Sequence, residues 1–383
     1  MTIPPLPSRA DVRAAIPEGC GEPSLVRSFA ALAGSLVVTA VPVVAAARLL
    51  PMTWVWLPAW VAYAILCGTA ATGLWVVAHE CGHGAFARSR VLRDTVGFTL
   101  HSALLVPYFS WQRSHAVHHA RTNHLDEGET HVPTRAADHR PPPDTAFRRL
   151  VGPDAFVAAT IARLLLLGWP AYLLAGATGS PRRGTTNHFW PAAPFDTELF
   201  PPRWHRRVWA SAAGVAVVVA LLAAWAVRAG SVVPVLALYV GPYLVVNAWL
   251  VLYTWLQHTD VDIPHFADPE WSWMLGAFQT VDRPYGRVVD LLHHRIGTTH
   301  VAHHIDHRIP YYRARAATTA VSAAFPEWYR YDPTPIPAAL WRVARDCRAV
   351  EQYPDGWYFS PPTAPRVASH DDAVLELVGH RDG

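Results

Sequence analysis

The chain contains no lysine, so all 32 of its basic residues are arginine. That bias points to a GC-rich coding sequence and so to a bacterium. Set against 29 acidic residues, the net charge is only +3. No basic array or nucleic-acid motif accompanies it, which argues against a nucleic-acid partner. Cysteine is scarce: Cys20, Cys67, Cys81 and Cys347 are the whole set. Their spacing fits no disulfide framework, and Cys67 falls inside an apolar run, so a reduced, cytoplasm-facing site is expected rather than a disulfide-stapled secreted one. The stretch from Met1 to Val26 is proline-rich and polar, without a signal-peptide pattern. Internal repeats and long low-complexity segments are also missing.

Long apolar runs are plentiful. Hydrophobic residues make up 51% of the chain and tryptophan occurs 17 times, as suits the aromatic belts of a membrane protein. Runs 28–50 and 54–77 flank a short break at Leu50-Pro51-Met52, and runs 208–227 and 232–256 flank Arg228-Ala-Gly-Ser231. Each has 20 residues or more, enough to cross a hydrocarbon core of roughly 30 Å. The expected fold is therefore an all-α integral membrane protein with two transmembrane hairpins. Residues 91–106 are short for a span and carry His101. Residues 156–174 carry Arg163 near the middle. Both read as interfacial helices, and the second leaves a tilted span open. One domain is expected over 1–360, with a flexible tail over 361–383. Hairpins return the chain to its starting side, so everything between and after them shares one face. Arginines crowd the inter-hairpin segment, including Arg88, Arg90, Arg93, Arg113 and Arg121, which makes that face cytoplasmic.

Three histidine clusters lie on that face: His79 and His83; His115, His118 and His119; His300, His303 and His304. Residues three and four apart share a helix face, so each cluster presents its imidazoles together. Eight imidazoles exceed the needs of one four-coordinate zinc and suit a pair of metal ions. Spacing alone leaves iron, zinc and copper open. His258, immediately after the fourth run as His79 follows the second, is a ninth candidate. With 21 histidines in the chain, some clustering is background, and His124, His131, His293, His294 and His307 belong to it. A metal pair with imidazole ligands suits oxygen chemistry on unactivated C–H bonds, and the membrane setting implies a lipid-like substrate.

Two other classes compete. His79-Glu80-Cys-Gly-His83 matches HExxH, in which Glu80 would serve as general base of an intramembrane zinc metalloprotease. That reading leaves six clustered histidines unused and lacks an Asp-Gly pair on an apolar segment for a third ligand. A histidine-lined metal transporter would place its ligands inside the spans, which are nearly free of ionisable residues.

Specific stretches then resemble the membrane-bound fatty acid desaturases, in the Δ12/ω3 branch typified by plant oleate desaturases. Ala15-Ile-Pro-Glu-Gly-Cys20, Ala78-His-Glu-Cys-Gly-His83, Tyr108-Phe-Ser-Trp111 before His115, Tyr253-Thr-Trp-Leu-Gln-His258, Thr280-Val-Asp-Arg283, Thr299-His-Val-Ala-His-His304 and Trp341-Arg-Val-Ala-Arg-Asp-Cys347 carry the likeness. It implies an O₂-dependent di-iron enzyme with four core transmembrane helices and a cytosolic cap. The eight cluster histidines would be ligands, joined by His258. A fatty acyl substrate and a separate donor, ferredoxin or cytochrome b5, are also implied, since the chain has no CxxCH haem site. Acyl hydroxylases and acetylenases share the scaffold. Glycerolipid, CoA and acyl-carrier-protein esters all remain open as substrates. The chain departs from the pattern at Ile305-Asp306-His307 and Pro310-Tyr311-Tyr312-Arg313, where the family has Leu-Phe and Pro-His-Tyr-His, and at Gly84, where many members have histidine.

Overall fold

The structure, a computed structural model, describes residues 5–138 and 145–359. The expected tail at 361–383 lies outside the described residues. The chain opens with α1 (Arg9–Ala15), closed by a capping box between Ser8 and Asp11, and then enters α2 (Leu25–Leu49) behind an Ser24 N-cap. The turn at Pro51 leads to α3 (Leu57–His83), which has Pro58 in its first turn. At 1.5 Å per residue, these 27 residues extend about 40 Å, well beyond a hydrocarbon core. The helix therefore runs past the apolar run, which ends at 77, and carries His79 and His83 beyond it, as their place directly after the run leads one to expect. Gly84, with φ 83°, stops it in the left-handed conformation that glycine adopts without strain.

Next come α4 (Arg90–Ala103), α5 (Tyr108–Ala120), α6 (Thr145–Val151), α7 (Pro153–Ala175) and α8 (His205–Ala229). The following apolar run begins with a single turn, α9 (Val233–Val235), and a π-helical stretch at Leu236–Val240 before α10 (Gly241–Leu256). Short helices build the remainder: α11 (Trp273–Phe278), α12 (Arg287–Leu292), α13 (His300–Ile305), α14 (Tyr311–Ala324) and α15 (Ile336–Asp346).

Among the described residues, five helical stretches are long and apolar enough to cross a membrane: 25–49, 54–83, 153–175, 202–229 and 233–256. The fifth in this count beyond the expected four is α7. Burial separates the stretches. About two-thirds of the most apolar window in 54–83 is buried, against 17% in 25–49 and 11% in 202–229. α3 is therefore the central post, packed against α2, α4 and α10, while α2 and α8 turn most of their apolar surface outward. α8 rests on α4 and α5, and α10 on α3 and α7. Around α3 the main core gathers Trp75, Cys81, Phe86, Trp111, Trp169 and Leu250. A second core under α13 joins Val12 of α1 to Phe278, Val301 and Val321.

The all-α expectation needs one correction. A small sheet joins β1 (Thr134–Arg135), parallel, to β2 (Ala349–Tyr353), which pairs antiparallel with β3 (Gly356–Tyr358). Strands of two to five residues are too short to leave a readable alternation. All four cysteines are free.

The α3–α10 crossing depends on Gly68. A Cβ there would lie 2.5 Å from the Pro242 carbonyl oxygen and 2.5 Å from Val245 Cβ. Gly68→Val should push the two helices apart and cost about 1–3 kcal/mol, read as a lower melting temperature in detergent. An unchanged melting temperature would show that the crossing is slack.

Candidate metal centre

Four structural elements converge at one end of the bundle. α3 supplies His79 and His83, α5 supplies His115, His118 and His119, the residues after α10 supply His258, and α13 supplies His300, His303 and His304. Gly82 makes the α3–α5 approach possible, since a Cβ there would lie 2.6 Å from the Trp111 ring.

The nine side chains divide into two groups. Ligand atoms of His79, His83, His115, His119 and His303 all lie within 4.8 Å of one another, and so do those of His118, His258 and His304. His300 joins the second group, its Nε2 2.9 Å from His258 Nε2. Within the first group, Nε2 of His79 lies 3.0 Å from that of His115 and 3.2 Å from that of His83, and His115 lies 3.2 Å from His119. In the second, His118 and His258 are 3.1 Å apart.

These contacts cannot all be hydrogen bonds. An imidazole nitrogen has a single in-plane site, either an N–H or a lone pair. His79, His115 and His258 each direct one Nε2 at two others. Lone pairs converging on a cation explain the pattern.

The surroundings fix which nitrogen faces inward. His118 Nδ1 donates to the Glu129 carbonyl at 2.7 Å. The Thr122 hydroxyl donates to the His118 carbonyl at 2.8 Å, so it must accept from His304 Nδ1 at 3.1 Å. Nε2 of His304, and likewise of His303, is buried without a protein partner. Such outer contacts orient ligands and set the tautomer. Asp282 accepts from the Val301 N–H at 2.9 Å and from the Tyr329 hydroxyl at 2.9 Å, capping α13 where Thr299 offers no side-chain bond. Burial pushes the Asp282 carboxyl up to about 7. Arg283, fully buried, donates to the Leu256 carbonyl at 2.8 Å and to Asp260 at 2.7 Å, and also pairs with Asp332. It thereby ties down the end of α10 beside His258. Arg342 completes a balanced set of two cations and two carboxylates.

Thr122 and Glu129 carry no motif of their own, and the Thr280-Val-Asp-Arg283 stretch does not announce that Asp282 caps α13. Thr122 was discoverable in principle, standing four residues after His118 on the same helical face. The background histidines are held elsewhere: His124 Nδ1 accepts two backbone N–H groups, His131 meets Thr254, His293 bridges Tyr253 and Thr69, and His294 meets Ser35. His307 is the exception, its ring 4.7 Å from His83 and 5.2 Å from His119 at the rim of the first group. The neighbouring Asp306 turns to Arg308 at 3.0 Å. Glu80, the general base of the protease reading, accepts the Tyr311 N–H at 3.0 Å and so ties α3 to α14.

Burial, reinforced by neighbouring imidazoles, holds His115, His119, His258, His300, His303 and His304 well below the ordinary histidine range. Burial alone takes His118 down to about 4. The rings are thus neutral, the form that binds metal.

Comparison with known proteins agrees with this geometry. The sequence model of the fatty acid desaturase family matches residues 54–335. A Delta(12) fatty acid desaturase from Mortierella alpina is 42% identical over 312 residues, covering 79% of this chain and 77% of its own length. A Delta(12)-fatty-acid desaturase from Arabidopsis thaliana is 37% identical over 360 residues, covering 92% and 91%. An oleoyl-12-hydroxylase from Ricinus communis is 38% identical over 355 residues, covering 91% and 88%.

Two outcomes follow from the geometry. Thr122→Val removes the acceptor for His304 Nδ1 and should weaken metal retention about 10- to 100-fold, with Thr122→Ser retaining it; equal retention by both variants would contradict the tautomer assignment. The second concerns pH. In the metal-stripped protein, unfolded rings take up protons below about pH 6.5 while the buried rings stay neutral, so stability should fall as pH drops from about 6.5 toward about 4. Melting temperatures that stay flat from about pH 7 to about pH 5 would contradict this.

Proposed function

The chain belongs to the fatty acid desaturase family, and from that premise we propose that it introduces a double bond into a fatty acyl chain in Δ12/ω3 fashion. We assign the metal ligands to His79, His83, His115, His119 and His303 around one iron, and to His118, His258, His300 and His304 around the other. The enzyme is an oxidoreductase acting on fatty acyl chains at a membrane. The observation that carries the reading is the two converging sets of ring nitrogens, too many and too close to satisfy one another.

When bound, a pair of irons supplies O₂-dependent oxidation able to remove hydrogen from an unactivated C–H bond. What the chain itself does is preparation. Helix ends bring the ligands in from separate elements, and Thr122 and the Glu129 carbonyl hold the ring tautomers. Asp282 and Arg283 lock the two late ligand segments to one another. Apolar packing of Trp75, Trp111 and Trp169 around the centre limits access of water.

Four crossing helices, α2, α3, α8 and the 233–256 stretch, make up the membrane core in this reading. Supporting it, His118 and His258 touch at 3.1 Å, so an even number of crossings separates them. With α8 and α10 crossing, α7 lies in the interface or returns to the side it entered from, as Arg163 suggests. The arginines of the inter-hairpin segment support a cytoplasmic centre, and the all-arginine basic set supports a bacterial cell membrane. A single domain over 1–360 is supported by α1 packing on α14 and by β2 pairing with β1. Electrons come from a separate ferredoxin or cytochrome b5; four free cysteines and no CxxCH favour that arrangement.

Hydroxylation is the second reading, favoured by one observation: the Ricinus hydroxylase is as similar to this chain as the Arabidopsis desaturase. Gas chromatography–mass spectrometry of a host expressing the chain with a compatible donor separates the two. A loss of two hydrogens from an acyl product, abolished by His303→Ala, is the expected result; a gain of one oxygen would move the function to the hydroxylase. Glu80→Gln should leave measurable conversion. A variant series in which Glu80→Gln is dead while His118→Ala and His303→Ala are active would return the protease reading.

A further inference from the structure

A cavity of about 370 Å³ opens between α2 and α3, in the size range of small-ligand pockets. Its outer part is lined by small and apolar residues, among them Gly34 and Val38 of α2, Ala70 of α3 and Leu291 of α12. The mouth lies beside the outer face of α12, where Val288 and Leu291 are 71% and 69% exposed. An apolar helix face so exposed, next to a helix turned largely outward, belongs to lipid rather than water. Ser35, His294 and Tyr311 close the inner end.

Behind that end lies a much smaller gap of about 10 Å³, too tight for more than one water. It shares His294 and Tyr311 with the outer cavity and reaches Glu80 and His303, a member of the first histidine group. The two voids are thus separated by His294 and Tyr311, with the lipid-facing cavity on one side and the small gap beside His303 on the other. The barrier is made by three side chains. His294 Nε2 and Ser35 Oγ are 2.9 Å apart, and the His294 ring lies 4.5 Å from the Tyr311 ring. The backbone there is unusual as well. His294 and Arg295 are consecutive non-glycine residues with φ of 53° and 65°. Left-handed residues with a Cβ are costly, and they gather where ligands are clamped or segments switch.

We propose that this cavity is a lateral entrance for the acyl chain, and that the Ser35–His294–Tyr311 contact is the latch between bilayer and metal centre. The occupant is a long hydrocarbon chain, matched by the apolar residues of the lining and by the gap beside His303 just behind it, while Arg295 and Tyr312, also in the lining, suit a polar headgroup. The proposal rests on the acyl desaturase reading and adds to it the route. Entry from the bilayer requires the latch side chains to give way, breaking one hydrogen bond and one ring contact, and the gap of about 10 Å³ behind them to widen to the bore of a hydrocarbon chain.

Gly34 permits a clean test. A Cβ at this position meets no atom within 4 Å, so Gly34→Leu fills the cavity without straining the fold. With the full chain in membranes and a compatible donor, Gly34→Leu should lower acyl conversion tenfold or more while leaving iron content unchanged. Val219→Trp, on the exposed face of α8, should leave both unchanged. Independently of turnover, a phospholipid bearing a diazirine on its acyl chain should label α2 near Gly34 in the wild type, and the label should vanish in Gly34→Leu. Wild-type conversion with an equally active Gly34→Leu, or no label on α2, would overturn the entrance and leave the desaturase reading intact. A wild type that takes the label but makes no oxidised acyl product would count against the desaturase reading instead.

Discussion

A ring nitrogen offers one site in its plane, and here seven of the nine imidazoles set an Nε2 2.9–3.2 Å from that of another, while His303 and His304 leave theirs without a protein partner. Most of the remaining structure can be understood as the means of holding that arrangement. Neutral rings packed this way cannot satisfy each other, and charged ones would repel. Metal binding removes the conflict, so the site is costly without its ions and coherent with them.

Holding ligands from four elements in register requires two kinds of support. Within the bundle, α3 is the reference: it outruns the hydrocarbon core, ends at Gly84, and presents Gly68 and Gly82 where α10 and α5 come closest. Beyond the bundle, the strip from Val281 to Arg283 is the counterpart. Val281 N–H bonds the Gln257 carbonyl, Asp282 caps α13, and Arg283 grips the end of α10. Consecutive residues thus tie His258 to the third cluster. Buried ion pairs such as Arg283 with Asp260 add little net stability but fix geometry, and removing one partner strands the other.

The helical class, the outer bounds of the apolar runs to within a few residues and the nine histidines that the fold brings together are legible in the sequence. Each rests on a strong local signal: a run of 20 or more apolar residues, or imidazoles three and four apart. His258 needed only its position after the fourth run. The extension of α3 beyond the apolar run is legible as well, since His79 and His83 follow that run directly at helical spacing. Other features left no such trace. The small sheet escaped because its strands are so short. His307, set aside as background, packs at the rim of the first group because the chain turns after α13, and Asp282 caps that helix from 19 residues away. Contacts of this kind are tertiary, and no local pattern announces them.

The central claim is that the two histidine groups hold two metal ions, and metal stoichiometry tests it directly. Purified protein, loaded with iron anaerobically and analysed by inductively coupled plasma mass spectrometry, should contain two irons per chain, falling to one in His258→Ala, which removes a ligand from the second group alone. One zinc per chain, unchanged in His258→Ala, would contradict the account.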